Sequence, residues 1–253
     1  MPTATNRGVD LHYETSGEGP TVVFVGDAGY GAWLWGWHHD ALAGPYETVV
    51  WDLRGTGDSD APAGPYDVAT LAADLEAVLS EADVAGAHLV GAGLGGMVAL
   101  RYAHEYNRAR TLTLYSTAAS GADIDADALD ALALDNTGSL DGAFSPQFRE
   151  NATDVVSRIT EWREAEDATG DAFRAQAAAT TGFEAPPLYE VTLPVELYYG
   201  VDDPVVPVEA AESLARDLPR GTSAAVEGRH CSFVEHARPV TDRLTAFLDE
   251  HAG

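Results

Sequence analysis

The sequence contains no lysine, only one cysteine and no apolar run long enough to span a bilayer. All 14 basic residues are therefore arginine, and 41 acidic residues oppose them, which gives a formal net charge of −27. A surface with that charge repels nucleic acid and anionic membranes at ordinary salt concentrations. We therefore expect neither a nucleic-acid partner nor a membrane partner.

The single cysteine, Cys231, has no partner for an internal disulfide, which favours a reducing compartment. The first ten residues lack the basic start and the apolar core of a secretion signal. These two features predict a cytoplasmic protein. The acidic residues and the eight histidines show no metal-ligand spacing. We therefore expect neither a metal nor a cofactor, and the sequence leaves the oligomeric state open.

The acidic residues are spread along the whole chain rather than gathered in a tail. This distribution resembles that of proteins from extreme halophiles such as haloarchaea, in which an acidic surface covers an ordinary core. Molar salt screens the repulsion between such charges to within about 3 Å. The alternative is an unusually acidic enzyme from an organism of ordinary salinity.

Short apolar runs alternate with helical patterns along the 253 residues, of which 45% are hydrophobic. This alternation predicts an α/β fold with a mostly parallel central sheet and helices on both faces. The sequence of residues 8–20 predicts a strand or hairpin that lies antiparallel at the sheet edge. The strand-like runs cover 21–26, 47–52, 88–92, 111–116, 195–200 and 222–227, and the helical patterns cover 67–84, 96–107, 207–218 and 238–252.

One segment, residues 121–193, contains no convincing strand pattern and is rich in alanine and acidic residues. It includes helical stretches such as 151–168. A long helical insertion in an α/β sheet is typical of a cap over the active site. The sequence therefore predicts a core formed by residues 1–120 and 194–253, with a helical cap formed by 121–193.

A glycine-rich turn follows the third of the core strand-like runs, in the stretch HLVGAGLGGMVALRYA (88–103). Gly91, Gly93 and Gly96 match the dinucleotide-binding pattern G-x-G-x-x-G literally. That pattern needs an acidic residue at the end of the next strand to hold a ribose, and the run TLTLYS is followed by none. A dinucleotide-binding oxidoreductase is therefore a remote alternative.

The same turn also fits a nucleophile elbow, which is a sharp strand-to-helix turn that presents a catalytic residue. Gly93 lies at the central position, and Gly91 and Gly95 lie two residues before and after it. In this arrangement the partners follow in the order acid and then histidine. Asp203 comes after the strand VELYYG, and His230 lies on a loop after the next strand. Asp202 is an alternative to Asp203 as the acid.

Five stretches in order resemble α/β-hydrolases of the esterase, lactonase and haloperoxidase-like group, over about residues 8–251. The resemblance implies the α/β-hydrolase fold and a small ester, lactone or related carbonyl compound as substrate. It implies a catalytic set at position 93, Asp203 and His230. The resembling stretches are LHYETSGEGPTVVFVG, VVWDLRGTGDSD, HLVGAGLGGMVALRYA, LPVELYYGVDDPVVP and EGRHCSFVEHARP.

The sequence departs from this family at two positions. The nucleophile position is vacant, since Gly93 carries no hydroxyl or thiol. In place of the family's His-Gly pair after the first core strand, the sequence has Val25-Gly26, followed by Asp27. The resemblance implies an oxyanion hole formed by the backbone N–H groups of Asp27 and Leu94, where an ionised Asp27 side chain would oppose a developing oxyanion. Alternatively, that carboxylate turns away or bonds a neighbouring N–H group. Loss of the nucleophile typically costs about 10⁶-fold in kcat, so we expect weak or absent serine hydrolysis, through natural or engineered loss.

Several other residues near these positions have expected roles. Cys231 is expected to be structural, and Tyr30, Trp33 and Phe233 are candidates for the pocket wall. His230 with its acid is a candidate general base that activates a water in the space beside Gly93. The alternative function is a catalytically inactive protein that binds a small ligand.

Overall fold

A computed structural model describes residues 2–251 of the chain, and Met1, Ala252 and Gly253 lie outside the described residues. Within that range the chain forms one sheet of eight strands in the order β1-β2-β4-β3-β5-β6-β7-β8. The strands are β1 (Thr3–Asn6), β2 (Val9–Ser16), β3 (Thr21–Val25), β4 (Glu47–Trp51), β5 (Ala87–Ala92), β6 (Ala109–Tyr115), β7 (Val195–Gly200) and β8 (Gly221–Val226).

The sheet is parallel from β4 through β8 in spatial order, and β1 and β2 form an antiparallel hairpin at one edge. The predicted α/β-hydrolase architecture is confirmed. The central strands β3 and β5 are buried along their whole length. Helices cover both faces of these strands, so their sequences are continuous apolar runs rather than alternating patterns.

Eleven α-helices accompany the sheet within residues 2–251. Among these described residues, no helix combines the length and the hydropathy needed to cross a membrane. The helices are α1 (Gly36–Leu42), α2 (Val68–Glu81), α3 (Leu94–Glu105), α4 (Ala126–Ala131), α5 (Ser139–Ala143), α6 (Pro146–Asn151), α7 (Thr153–Glu166), α8 (Gly170–Thr181), α9 (Val208–Asp217), α10 (Ser232–Glu235) and α11 (Ala237–His251).

Local sequence signals explain where some of these helices begin. The predicted helix at 67–84 begins at Val68, because the Asp67 carboxylate caps it by accepting a hydrogen bond from the N–H of Thr70 at 2.8 Å. The predicted helical stretch at 151–168 corresponds to α7, which follows the short helix α6. Ser145 caps α6, and Pro146 occupies its first turn, where the missing N–H costs nothing.

Helices α4–α8 all lie in the segment 121–193, between β6 and β7. The carboxyl ends of the parallel strands meet at one edge of the sheet, where α/β folds bind their ligands. The loops that follow β3, β5, β7 and β8 therefore lie close together. They carry Asp27, Gly93, Asp203 and His230, respectively.

Candidate active site

Gly93 forms the turn between β5 and α3, with φ +46° and ψ −112°. This positive φ favours glycine, because other residues are strained there. Strand and helix also approach too closely for larger side chains, since a Cβ on Gly91 would lie 2.4 Å from the carbonyl oxygen of Gly95. The glycines thus have the steric role of an elbow, and position 93 has no reactive group.

Asp203 and His230 form a hydrogen-bonded pair beside this turn. The Nδ1 atom of His230 lies 3.0 Å from both carboxylate oxygens of Asp203. The backbone N–H groups of Val205 and Val206 donate to Asp203 Oδ1 at 2.8 and 3.1 Å, which fixes the carboxylate in the turn after β7. Asp202 is exposed instead and its N–H bonds to Gly228, so Asp203 is the acid next to the imidazole.

The other side of the imidazole faces Asp27, whose carboxylate lies between the β3 loop and the start of α3. Asp27 Oδ2 lies 2.8 Å from His230 Nε2. Asp27 Oδ1 accepts hydrogen bonds from the N–H groups of Ala28 at 2.6 Å and of Leu94 at 2.8 Å. Asp27 therefore bonds neighbouring N–H groups, which is one of the alternatives that the sequence left open.

The two N–H groups that converge on one point belong to Ala28 and Leu94. The sequence-based expectation pairs Leu94 with Asp27, one residue earlier in the first loop, and that pairing stays a prediction. Together with the amino end of the twelve-residue helix α3, these N–H groups favour a negative charge at that point.

The carboxylate of Asp27 occupies the space that a side chain on residue 93 would need. A Cβ on Gly93 would lie 2.0 Å from Asp27 Oδ1 and 2.4 Å from its Cγ. The carboxylate also lies at the glycine turn, where a dinucleotide would place its pyrophosphate. Because two negative charges repel there, this placement disfavours the dinucleotide interpretation.

Both ring nitrogens of His230 lie within hydrogen-bond distance of carboxyl oxygens, and a ring that carries both protons donates to both acids. Burial alone would lower the pKa of His230, but Asp203 and Asp27 outweigh it and raise that pKa to about 10. Burial alone would likewise raise the pKa of Asp203, but His230 and the backbone donors hold it below its usual value. These two shifts favour an imidazolium paired with the carboxylate of Asp203, with Asp27 at the other ring nitrogen.

The centre is closed to solvent. The side chains of Asp27, Asp203 and His230 are 4%, 0% and 2% exposed, respectively. Helix α8 contacts the loop that carries Asp27, since Gln176 Oε1 accepts a hydrogen bond from the N–H of Gly29 at 2.6 Å. A molecule that reaches His230 must therefore displace part of the surrounding chain.

A buried ion pair in the segment 121–193 was not expected from the sequence. Arg163 Nε donates to Asp167 Oδ2 at 2.6 Å, and the two side chains are 3% and 1% exposed. Asp167 Oδ1 in turn accepts hydrogen bonds from the N–H of Gly31 at 3.0 Å and from Trp33 Nε1 at 2.7 Å. The segment 121–193 thus holds the loop that carries Asp27. The four-residue spacing of Arg163 and Asp167 is typical of exposed helical pairs, so it carries no sign of burial.

The three residues expected in a pocket wall are all buried. The Tyr30 ring lies against Trp33 and under the guanidinium of Arg163. Phe233 packs among core aromatic rings, with its centroid 5.1 Å from that of Trp35 and 5.0 Å from that of Tyr115. Their role as a pocket wall stays a prediction.

Cys231 is also buried, next to the hydroxyl of Tyr30 and close to the centre. Burial raises the pKa of its thiol well above the usual value, and the negative charge of Asp27 raises it further. The thiol therefore stays protonated at neutral pH, where it is a poor nucleophile.

Comparison with known proteins agrees with this fold. The model of the alpha/beta hydrolase family matches residues 22–243. The chain belongs to this family. Open α/β sheets bind their ligands at the carboxyl edge of the strands, which is where Asp27, Gly93, Asp203 and His230 meet.

Other alpha/beta hydrolases match over nearly the whole chain. The 3-oxoadipate enol-lactonase 2 of Acinetobacter baylyi is 25% identical over 259 residues, which are 97% of this chain and 96% of that protein. The crystal structure of the enol-lactonase from Burkholderia xenovorans LB400 has a TM-score of 0.85 at 22% identity and covers 98% and 100% of the two chains. A thermophilic esterase from Thermogutta terrifontis has a TM-score of 0.86 at 21% identity, over 99% and 97%. These two likenesses concern the fold.

Proposed function

We propose that this chain is an alpha/beta hydrolase-type protein for a small ester, lactone or related carbonyl compound that does not work by serine catalysis. One observation carries the proposal: the Asp27 carboxylate occupies both the N–H pair of Ala28 and Leu94 and the space of a side chain at position 93. A serine hydrolase needs that space for its nucleophile and that N–H pair for its oxyanion.

The resemblance to lactonases and esterases supports the substrate class. A relative of matching length is named an enol-lactonase, and Asp203 and His230 are paired as in a hydrolase centre. The imidazolium state of His230 argues against a general base at rest, since the ring has no free lone pair. This resting state therefore supports a protein that binds such a ligand without turning it over.

The test compares four proteins in molar salt: the wild type, Gly93→Ser, Asp27→Ala and the double variant. Each is given an activated short-chain ester and a serine-reactive phosphonate. We expect no burst and no labelling for the first three proteins. We expect labelling at position 93 in the double variant, because its hydroxyl lies beside His230 and the N–H pair is free.

Adding His230→Gln to the double variant is the control and abolishes the labelling. A burst of product from the wild type would overturn the proposal, because it would require a nucleophile that Gly93 does not supply. If the double variant folds but the phosphonate does not label it, then removing the Asp27 carboxylate and adding a serine do not restore a hydrolase centre. That result would also overturn the proposal.

A second candidate function rests on the 2.8 Å contact between Asp27 Oδ2 and His230 Nε2. A carboxylate beside an imidazole is able to act as a covalent nucleophile. In this candidate, Oδ2 bonds to a saturated carbon and expels its leaving group. Alkylation removes the negative charge of Asp27, and the Nε2 proton of His230 leaves with the leaving group. The neutral ring then deprotonates a water, which cleaves the resulting ester and restores the carboxylate. Esters are poor substrates for this route, because Asp27 Oδ1 already fills the N–H pair.

Mass spectrometry tests this second candidate. His230→Gln is incubated with a small alkyl halide, and the peptide that contains Asp27 is analysed for added alkyl mass. The candidate predicts that the adduct accumulates in this variant and turns over in the wild type. An unmodified Asp27 in both proteins would reject the candidate and would leave the first proposal standing.

We also propose that the protein is adapted to high salt concentrations, as in haloarchaea. The net charge of −27 and the complete absence of lysine support this proposal. The expected dependence of stability on salt is a separate test from those on the centre.

A further inference from the structure

The surroundings of the Asp27 carboxylate form a complete set of partners for a carboxylate anion. Oδ1 receives two backbone N–H groups, from Ala28 and Leu94, and Oδ2 receives Nε2–H of His230. His230 keeps its positive charge partly through Asp203, whose hydrogen bonds do not involve Asp27. The donors that surround Asp27 would thus suit any small carboxylate that took its place.

We propose that the centre is a binding site for a small carboxylate, and that Asp27 fills it as a competitor from the same chain. The inference rests on the proposed function, in which no serine acts at this centre. The ligand class is a monocarboxylate of one or two carbons. The protein at rest therefore excludes external carboxylates and carbonyl compounds from its own anion site.

The size limit follows from the atoms that Asp27 contributes. Gly93 provides the space, since a Cβ there would lie 2.4 Å from Asp27 Cγ and 2.6 Å from Oδ2. Asp27→Ala removes one carboxyl group, which has the size of formate. Asp27→Gly removes a methylene group as well, so the missing atoms then have the size of acetate.

The charge of the site explains why a carboxylate is preferred over a neutral ligand. The imidazolium of His230 and the amino end of α3 both face the vacated position. A charge-assisted hydrogen bond is about twice as strong as a neutral one. Asp27 holds this position in the wild type because its covalent attachment gives it a high effective concentration.

The experiment measures thermal unfolding at rising formate or acetate, with chloride making up a constant ionic strength so that general salt effects cancel. Ligand that binds only the folded state raises the unfolding temperature in a saturable way. We expect formate to stabilise Asp27→Ala and acetate to stabilise Asp27→Gly. We expect the wild type to need at least about a tenfold higher ligand concentration for the same rise in unfolding temperature.

Three controls separate a specific site from a general loss of negative charge. Asp202→Ala removes an exposed carboxylate near Asp203 and is expected to respond like the wild type. Asp27→Asn keeps the shape of the side chain and is expected to exclude formate. Adding His230→Gln to Asp27→Ala removes the positive charge and is expected to abolish the response.

The proposal is overturned if folded Asp27→Ala ignores formate, or if Asp202→Ala responds as strongly. A measurement on the wild type keeps the proposal testable if the Asp27 variants do not fold. In ¹⁵N-histidine spectra at pH 7, His230 is expected to carry protons on both ring nitrogens, and a neutral ring would contradict the site.

The two proposals fail in different ways. Labelling of the Gly93→Ser and Asp27→Ala double variant, without formate binding to Asp27→Ala, would keep the proposed function and reject the carboxylate site. A burst of ester hydrolysis by the wild type would reject the proposed function, whatever the variants bind.

Discussion

Asp27 and Gly93 lie so close that a side chain on residue 93 would collide with the carboxylate, with a Cβ 2.0 Å from Asp27 Oδ1. The two residues come from different loops, after β3 and β5, respectively. We expect substitutions at the two positions to be energetically coupled, because the Asp27 carboxylate fits only where residue 93 has no side chain. This coupling has a measurable consequence for stability.

We expect Gly93→Ala to destabilise the wild type more than it destabilises Asp27→Ala. In both backgrounds, alanine at φ +46° is strained by about 1–3 kcal/mol. Only the wild type must also displace the carboxylate from its hydrogen bonds. The measurement is a double-mutant cycle from denaturant unfolding in molar salt. Equal losses in the two backgrounds would show that the two positions are not coupled.

The charge state of His230 predicts how stability depends on pH. The pKa of His230 is about 10 in the folded protein, against 6.5 as the ordinary value. Its stabilising contribution is therefore complete below about pH 6.5 and is lost as the pH rises towards about 10. We expect Asp27→Asn to lose stability at lower pH than the wild type, because one of the charges that raise this pKa is gone.

Denaturant unfolding over that pH range checks this expectation, with Asp202→Asn as the matched control at an exposed carboxylate. The control is expected to follow the wild-type pH profile. If Asp27→Asn also follows the wild-type profile, then Asp27 does not hold the proton on His230.

The relation between the acid and the histidine could be predicted from the sequence, whereas the state of the centre could not. Asp203 and His230 each follow a strand-like run, and parallel strands bring such positions to one edge of the sheet. The position of the Asp27 carboxylate depends on the conformation of one side chain and on the open space at Gly93. Neither feature leaves a pattern in the sequence around Asp27, so two alternatives stayed open there.

The burial of charged side chains within the segment 121–193 could not be predicted from the sequence either. The pair Arg163 and Asp167 has the spacing of a solvated helical ion pair, yet both side chains are buried against the loop of Trp33. The burial of this pair is decided by long-range packing, whereas sequence spacing reports only local neighbours.

We expect Arg163→Met to be among the most destabilising single substitutions in this segment. It leaves Asp167 buried without its cation, and breaking a buried pair in this way typically costs about 3–5 kcal/mol. The matched control is Arg174→Met, whose partner Asp171 and own side chain are 93% and 69% exposed. That exposed pair is expected to contribute about 0–1 kcal/mol. Similar unfolding free energies for the two variants would contradict the structural role of the Arg163 pair.

We expect the thermal stability of the wild type to fall steadily as salt is diluted from molar to millimolar concentrations. With a net charge of −27, repulsion between surface carboxylates opposes the compact state. The screening length grows from about 3 Å at 1 M to about 30 Å at 0.01 M ionic strength. Thermal melts in sodium chloride and potassium chloride at fixed pH measure the effect. The buried ion pairs are screened much less than the surface, so the loss should arise from surface charge. A melting temperature that stays constant over this range would count against adaptation to high salt.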